Sequence, residues 1–135
     1  NQCMKKIENE FVDYNTALAL KKLGFDEPCI LLYRGLDTQP VCQMSYDFKT
    51  EKNSDYNDAT NYWLTVPTFS QCFSWFREKY NVKSCFDWHP TEHYRYCIYY
   101  STNKYFQQCD FLVHEEAELA CLKKLIEIVN ESKKD

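Results

Sequence analysis

The hydrophobic positions follow their clearest pattern between Pro67 and Tyr100, where an apolar period of about 3.6 residues gives way to a period of two. At the start of this stretch Thr68 can cap a helix, and Gln71, three residues later, can bond back to the cap. The apolar stripe that follows consists of Phe69, Cys72, Phe73, Phe76 and Tyr80. The pattern therefore predicts a central helix with one buried face.

Alternating apolar residues follow this helix in two runs, residues 82–88 and 94–100, and this alternation is typical of paired strands. After a turn at Asn103, residues 104–111 are predicted to add a further strand. On the middle strand, alternation separates two sets of side chains, which are Tyr94, Tyr96, Ile98 and Tyr100 on one face and Arg95, Cys97, Tyr99 and Ser101 on the other. These runs predict an antiparallel sheet that carries many tyrosines.

The N-terminal half of the chain predicts one more helix and a second pair of strands. A helix is expected from about Asn15 to Leu23, and Gly24 is placed as its terminating residue. Residues 29–34 form a short, continuously apolar run that is typical of a buried strand. Residues 41–48 alternate well enough to be the returning strand.

Two segments complete the predicted order of elements. Residues 49–61 are polar and lack periodicity, so we expect a mobile loop there, followed by a brief strand at 62–64. The last helix is predicted for residues 115–129, because acidic residues gather at its start and lysines lie just beyond its end. The order of elements predicts a single α+β domain over residues 1–135, with an antiparallel sheet packed against about three helices.

Composition narrows the class of protein. The chain has 135 residues, of which 17% are aromatic, and this content argues against disorder. Its net charge of -4 gives no long-range basic field for nucleic acid, although a local basic patch stays open. No apolar run is long enough to span a membrane and the N-terminus has no signal-peptide core, so we expect a cytoplasmic protein without membrane contact.

Eight cysteines could form a disulfide framework, at positions 3, 29, 42, 72, 85, 97, 109 and 121. Most of them fall inside predicted helices or strands, and no secretion signal accompanies them. The chain also lacks a C-x-x-C pair, so a thioredoxin-like redox motif and most structural zinc patterns are absent. We therefore expect reduced, buried thiols.

One cluster has the ligand types that zinc prefers, with Cys85, His89 and His93 at intervals of four residues. Such intervals bring ligands together on a helix, but this segment is predicted to be strand and turn, with Pro90 in its middle. The alternative is a buried Cys85 with two exposed turn histidines. We predict no metal and no cofactor, and leave the convergence of the three residues open.

A cysteine nucleophile with a histidine base is a second candidate, for instance Cys72 or Cys97 with any of the three histidines. Activation needs an electropositive, partly exposed thiol and a base within hydrogen-bond reach. The order of residues indicates neither condition. We therefore predict a protein that is not an enzyme.

The remaining candidates are aromatic and basic side chains that could contact a partner, namely Trp63, Trp75, Arg77, Tyr94, Arg95 and Tyr96. Tryptophan, tyrosine and arginine are common anchors of protein interfaces. Tyrosines on an open sheet face can also stack on unpaired RNA bases while arginine contacts phosphates. The alternative is that one face of the sheet is core and that Trp75 covers an edge of the core.

Three segments together resemble a loose family of short proteins that bacteriophages and integrated mobile elements encode. The segments are Ala17–Cys29, Pro67–Tyr80 and Glu115–Ile126. The residues that match are ones expected to pack in the core rather than to take part in catalysis or binding, so the resemblance assigns no functional residue. The chain departs from the family at His114, where Ser or Thr is expected to cap the last helix, and in the long polar loop after Phe48.

The resemblance implies a phage origin and action by binding, since proteins of this kind include inhibitors of host defence and anti-CRISPR proteins. The expected function is a non-enzymatic inhibitor of a host defence complex. Its sharpest form is an anti-CRISPR protein that contacts an RNA-guided nuclease effector, which would be a host protein or ribonucleoprotein. The alternative is a direct single-stranded RNA-binding protein.

Overall fold

The structure is a computed structural model, and its fold is of the predicted α+β class. The structure describes residues 9–35, 41–45, 47, 49–56, 63–90, 93–101 and 104–134. The elements in chain order are α1 (Tyr14–Leu23), β1 (Leu31–Arg34), β2 (Val41–Met44), a 3-10 helix (Asn53–Asp55), β3 (Trp63–Val66), α2 (Phe69–Tyr80), β4 (Lys83–His89), β5 (His93–Ser101), β6 (Lys104–Phe111) and α3 (His114–Lys133). The chain separates into two compact units, Asn1–Thr68 and Phe69–Asp135. Each unit contains one three-stranded antiparallel sheet, so the described residues form two sheets rather than one.

In the first unit β1 lies between β2 and β3 and is antiparallel to both. The helix α1 packs on β3 and begins after Asp13, whose side chain accepts a hydrogen bond of 3.3 Å from the Thr16 amide. It ends at Gly24, whose φ of 99° lies in the left-handed region that glycine adopts without a steric penalty. The predicted terminating residue is thus confirmed.

The polar segment that follows β2 is more ordered than its composition predicts. Asn53 is buried in the 3-10 helix, where its Nδ2 donates to the Phe25 carbonyl at 2.8 Å. Its Oδ1 accepts a hydrogen bond of 3.0 Å from the Thr65 amide in β3. The expectation of a mobile loop is therefore wrong for residues 49–56, and the rest of that expectation, residues 57–61, lies outside the described residues.

The second unit carries a sheet in the order β4-β5-β6 with antiparallel neighbours. The helix α3 packs against all three strands, and α2 packs against α3 and β4. Both helices lie on the same face, because the ring of Phe86 on β4 contacts both Phe73 of α2 and His114 of α3. The apolar residues buried in this unit include Cys72, Phe76, Val82, Ile98, Ala117, Cys121, Leu122, Leu125 and Val129.

The helix α3 begins one residue earlier and ends about one turn later than predicted. Its N-cap is Val113, whose side chain makes no capping hydrogen bond. Glu115 and Glu116 lie in its first turn and Lys133 lies in its last, as the charge pattern indicates. No helix in the described part of the chain is both long and apolar enough to cross a membrane.

Cysteine burial follows the prediction in part. All seven cysteines in the described ranges are reduced. Four of them are buried, at positions 29, 72, 97 and 121. The expectation of buried thiols is wrong for Cys42, Cys85 and Cys109, which are exposed, and Cys3 lies outside the described residues.

Candidate binding surface on the second sheet

The face of the β4-β5-β6 sheet that the helices leave uncovered is the candidate site, and we refer to it as the open face. Its described side chains are Lys83, Cys85 and Asp87 from β4, His93, Arg95, Cys97 and Tyr99 from β5, and Tyr105 and Gln107 from β6. They share one face because side chains alternate along each strand and directly paired residues point the same way. Most of them are exposed, whereas Cys97 is buried beneath its neighbours.

A two-point ion pair crosses the first two strands of the open face. Arg95 donates from Nε to Asp87 Oδ1 at 2.9 Å and from Nη2 to Asp87 Oδ2 at 2.5 Å. Arg95 Nη1 also donates to Gln107 Oε1 at 3.4 Å, so the guanidinium spans all three strands. Hydrogen bonding to Asp87 raises the pKa of Arg95 further, and both side chains stay partly accessible to solvent.

Two tyrosines form the apolar part of the open face. Tyr99 and Tyr105 are 49% and 47% exposed, and their ring centroids lie 4.9 Å apart at an angle of 44°. The Tyr105 hydroxyl donates to Gln107 Oε1 and lies 3.5 Å from Cys97 Sγ. The hydrogen bond to Cys97, followed by desolvation, raises the pKa of Tyr105 to about 12 and keeps the phenol neutral.

Two thiols face each other on neighbouring strands of the same surface. Cys85 and Cys97 are direct partners in the register of β4 and β5. Burial raises the pKa of Cys85, and the charge and hydrogen bond of Cys97 raise it further. The raised pKa keeps Cys85 mainly in the thiol form, and the sulfur of its neighbour Cys97 lies 3.5 Å from the Tyr105 hydroxyl.

Two of the six predicted contact residues belong to the core. Trp75 is 5% exposed, and its ring packs edge-on against Phe76 and Tyr80 at 5.0 and 5.3 Å. Tyr96 is 1% exposed, and its hydroxyl donates to Gln108 Oε1 at 2.8 Å. The alternative prediction, that Trp75 covers an edge of the core, agrees with its position. The rings of Trp75 and Tyr96 are therefore not available to a partner in the folded protein.

The other four predicted residues are scattered. Trp63 is half-buried in the first unit and stacks on Tyr56 at 5.6 Å. In the second unit Tyr94 packs against His114 at 5.6 Å on the helix-covered face, and Arg77 is exposed on α2. Only Arg95 among the six lies on the open face, so the structure does not bring the predicted set together.

The alternation of β5 carried the signal for the residues that were missed. It placed Tyr99 and Arg95 on one face and Tyr96 on the other, as observed. It could not indicate which face α3 would cover, and the partners Asp87, Tyr105 and Gln107 follow only from the strand register. The sequence therefore predicted which residues of β5 share a face, but not which of the two faces is exposed.

The predicted metal candidates do not converge in the described residues. Cys85 and His93 lie on the same face but are separated along the β4-β5 pair, because Cys85 is aligned with Cys97 and His93 is aligned with His89, four residues further along β4. Among the residues whose placement the structure describes, no three His, Cys, Asp or Glu side chains are close enough to hold a metal ion. The side chain of His89 lies outside that description.

Comparison with known proteins adds no assignment. No family model matches the chain. Neither the curated proteins nor the solved structures include a significant match to it. Function is therefore inferred from the chemistry of the surface itself.

Proposed function

We propose that this chain is a non-enzymatic binding protein that contacts a protein partner through the open face. The observation that carries the proposal is the exposed Tyr99–Tyr105 pair beside the Arg95 guanidinium. Tyrosine and arginine are enriched in the centres of protein interfaces, where large rings exclude water from polar contacts. Lys83 is the register partner of Tyr99, and Gln107 accepts a hydrogen bond from Tyr105, so both supply polar groups beside the rings.

The arrangement favours a protein partner over single-stranded RNA. Three guanidinium nitrogens of Arg95 already donate to Asp87 and Gln107, so a phosphate would have to compete with a carboxylate for them. The rings of Tyr99 and Tyr105 pack on each other at 44°, so they do not offer two parallel platforms for successive bases. The net charge of -4 also opposes long-range attraction of RNA.

The sharper form of the proposal is an inhibitor of a host defence complex, with an RNA-guided nuclease effector as the partner. Its support is the resemblance of three segments to phage and mobile-element proteins, together with a surface suited to occupying a protein. An inhibitor of this type needs no catalytic residues, since covering a functional surface of the nuclease is sufficient.

Affinity capture from a lysate of a plausible bacterial host tests the proposal. Wild-type protein is compared with Tyr99→Ala/Tyr105→Ala and with Trp88→Ala. Trp88 is the control because it is 56% exposed but pairs with Tyr94 on the opposite face of the same sheet. We expect a protein that survives ribonuclease treatment, is lost with the double variant and is retained by the control.

Equal recovery by the folded double variant would refute the open face as the contact surface. The sharper form is tested next, by adding the purified chain to the recovered effector, loaded with guide, in a target-cleavage assay. We expect cleavage to fall as the chain is added and to be restored with Tyr99→Ala/Tyr105→Ala. Undiminished cleavage at saturating protein would refute the inhibitor while leaving the binding proposal in place.

Single-stranded RNA binding is the second candidate, and the exposure of Tyr99 and Tyr105 on a sheet face is the observation that favours it. Titration of the purified chain with a labelled single-stranded RNA of mixed sequence separates the two candidates. RNA binding predicts an affinity that falls steeply with salt and is weakened by Tyr105→Ala. The protein-binding proposal predicts no saturable binding in that titration.

A further inference from the structure

The paired thiols of the open face are a chemical feature that the proposed function does not use. Cys85 and Cys97 are direct cross-strand partners in β4 and β5 and interact through their side chains. Cys85 is exposed, whereas Cys97 is 4% exposed. The pair thus combines one thiol that solvent reagents can reach with a second thiol held directly beside it.

The backbone geometry at this pair suits a covalent bond. Directly opposed residues of antiparallel strands have Cα atoms about 4.5 or 5.5 Å apart, depending on the type of pair. A disulfide needs a Cα separation of roughly 4.4–6.8 Å. Both types of pair fall within that range, so Cys85 and Cys97 can be joined without moving the strands apart.

The strand registers pair neither of the other two exposed cysteines with a cysteine. Cys42 is aligned with Tyr33 in the register of β1 and β2. Cys109 is exposed on β6, beside the register pair formed by Gln108 and Tyr96. These two thiols therefore serve as internal controls, because each is accessible and neither has a cysteine as its register partner.

We propose that Cys85 and Cys97 are a reversible oxidation site, in which hydrogen peroxide converts the two thiols to a cross-strand disulfide. The small fraction of Cys85 that has released its proton to solvent attacks one peroxide oxygen as the thiolate, the O–O bond breaks, and the departing hydroxide takes up a proton from solvent to leave as water. Cys85 is then a sulfenic acid. The Cys97 sulfur attacks the Cys85 sulfur, the S–O bond breaks as the S–S bond forms, and the hydroxyl leaves with the Cys97 proton as a second water.

The two steps balance, because the thiols lose two electrons and two protons while one peroxide is reduced to two waters. A small dithiol reverses the reaction by exchange through a mixed disulfide. The Cys97 neighbour also explains why oxidation stops at the disulfide. A sulfenic acid with a thiol directly beside it condenses with that thiol before a second peroxide oxidises it further.

Oxidation would change the open face at its centre. Cys97 Sγ lies 3.5 Å from the Tyr105 hydroxyl, and the disulfide removes the thiol hydrogen from that contact. Tyr105 is one of the two rings to which we assign partner binding, so oxidation is expected to weaken the binding of the partner. This consequence rests on the proposed function, whereas formation of the disulfide does not.

The experiment treats the full chain with a modest excess of hydrogen peroxide, blocks the remaining thiols with an alkylating reagent, and maps peptides without reduction. Wild type is compared with Cys85→Ser and with Cys109→Ser. We expect a Cys85–Cys97 linked peptide in wild type and in Cys109→Ser, its absence in Cys85→Ser, and its disappearance after dithiothreitol. No linked peptide is expected to contain Cys42 or Cys109.

Recovery of Cys97 as an alkylated thiol while Cys85 is converted to sulfinic acid would overturn the proposal. Linkage of Cys85 to any other cysteine, including one from a second copy, would also overturn it. The binding consequence is tested separately by capture of the partner before and after oxidation. If the protein carries the disulfide and still binds the partner fully, only the claim that oxidation weakens binding is refuted. Loss of binding in Tyr99→Ala/Tyr105→Ala tests the contact surface independently of oxidation.

Discussion

At the scale of single residues, Arg95 illustrates how the open face organises a charge. Its guanidinium is held by two hydrogen bonds to Asp87 and reaches Gln107 on the far strand. An exposed ion pair of this kind contributes little to folding, because solvent and salt screen it and ordering both side chains costs entropy. Its value lies in orientation, since a two-point contact fixes the plane of the guanidinium.

Replacing Asp87 by Ala should therefore affect binding more than stability. We expect the melting temperature of Asp87→Ala to stay close to that of wild type, while capture of the partner falls because Arg95 is no longer held in place. Thermal denaturation and quantitative capture measure the two effects. Glu131→Ala, which breaks the exposed Lys134–Glu131 pair at the end of α3, is the control and should change neither. A large drop in melting temperature for Asp87→Ala would show that the ion pair is structural.

The Cys85 thiol should react slowly despite its exposure. Its pKa is raised, chiefly by desolvation, so its thiolate fraction at neutral pH is smaller than that of an ordinary thiol. In a variant with Cys3, Cys42 and Cys109 replaced by Ser, iodoacetamide is expected to modify Cys85 more slowly than it modifies glutathione. The rate should keep rising as the pH passes the ordinary thiol pKa of 9.0. An inflection at or below that value would contradict the shift, because steric shielding alone lowers the rate without moving the inflection.

At the scale of elements, the side chain of Asn53 bonds to the backbone of β3 in the first sheet. Asn53 donates to the Phe25 carbonyl and accepts from the Thr65 amide of β3, so it satisfies two backbone groups that are distant in sequence. A buried backbone group without a partner costs about as much free energy as a lost hydrogen bond. The 3-10 helix is therefore needed to complete β3 as well as to connect it to β2.

Asn53→Ala should destabilise the first unit by roughly 2 to 4 kcal/mol, because it leaves one buried donor and one buried acceptor unsatisfied. The exposed Asn130→Ala in α3 is the matched control and should change stability by less than about 0.5 kcal/mol. Urea denaturation followed by circular dichroism measures both variants. Equal midpoints for the two would show that the bonds of Asn53 are replaced by water at little cost.

At the scale of the whole molecule, both units bury weak acids in their neutral form. Burial raises the pKa of Cys29 to about 11 and that of Tyr33 to about 12 in the first unit. In the second unit it raises the pKa of Cys121 and of Tyr96 to about 12. In each case desolvation is the largest cause, because the charged form loses its hydration when it is buried.

These shifts predict a loss of stability at alkaline pH. The unfolded chain releases thiol protons around the ordinary pKa of 9.0 and phenol protons around 10.0, whereas the folded chain retains them. The folded state thus binds more protons in this window, and its stability falls as pH rises from about 9 towards 12. Thermal melts from neutral pH to about 11 measure the effect, and Cys121→Ala should reduce the slope above pH 9. A flat melting temperature across the window would contradict the prediction.

The periodicity of the chain was enough to predict the elements of the second unit, because α2, β4, β5, β6 and α3 each have a strong local pattern. Which side of the sheet is covered depends on α3, and local alternation treats Tyr96 and Tyr99 alike. Trp75 was ambiguous for the same reason, since it lies off the main apolar stripe of α2 and is nevertheless buried. The role of Asn53 was missed because its partners are 28 and 12 positions away along the chain.

The hydrogen bonds that run from Asp87 through Arg95 and Gln107 to Tyr105 also bear on the entropy of association. Free arginine and glutamine side chains sample many rotamers, and an interface that uses them must usually immobilise them on binding. Here that loss of freedom already occurs when the sheet folds. A partner therefore binds side chains that are already ordered. If a substitution disrupts these hydrogen bonds and lowers the affinity for the partner, we expect the change mainly as faster dissociation.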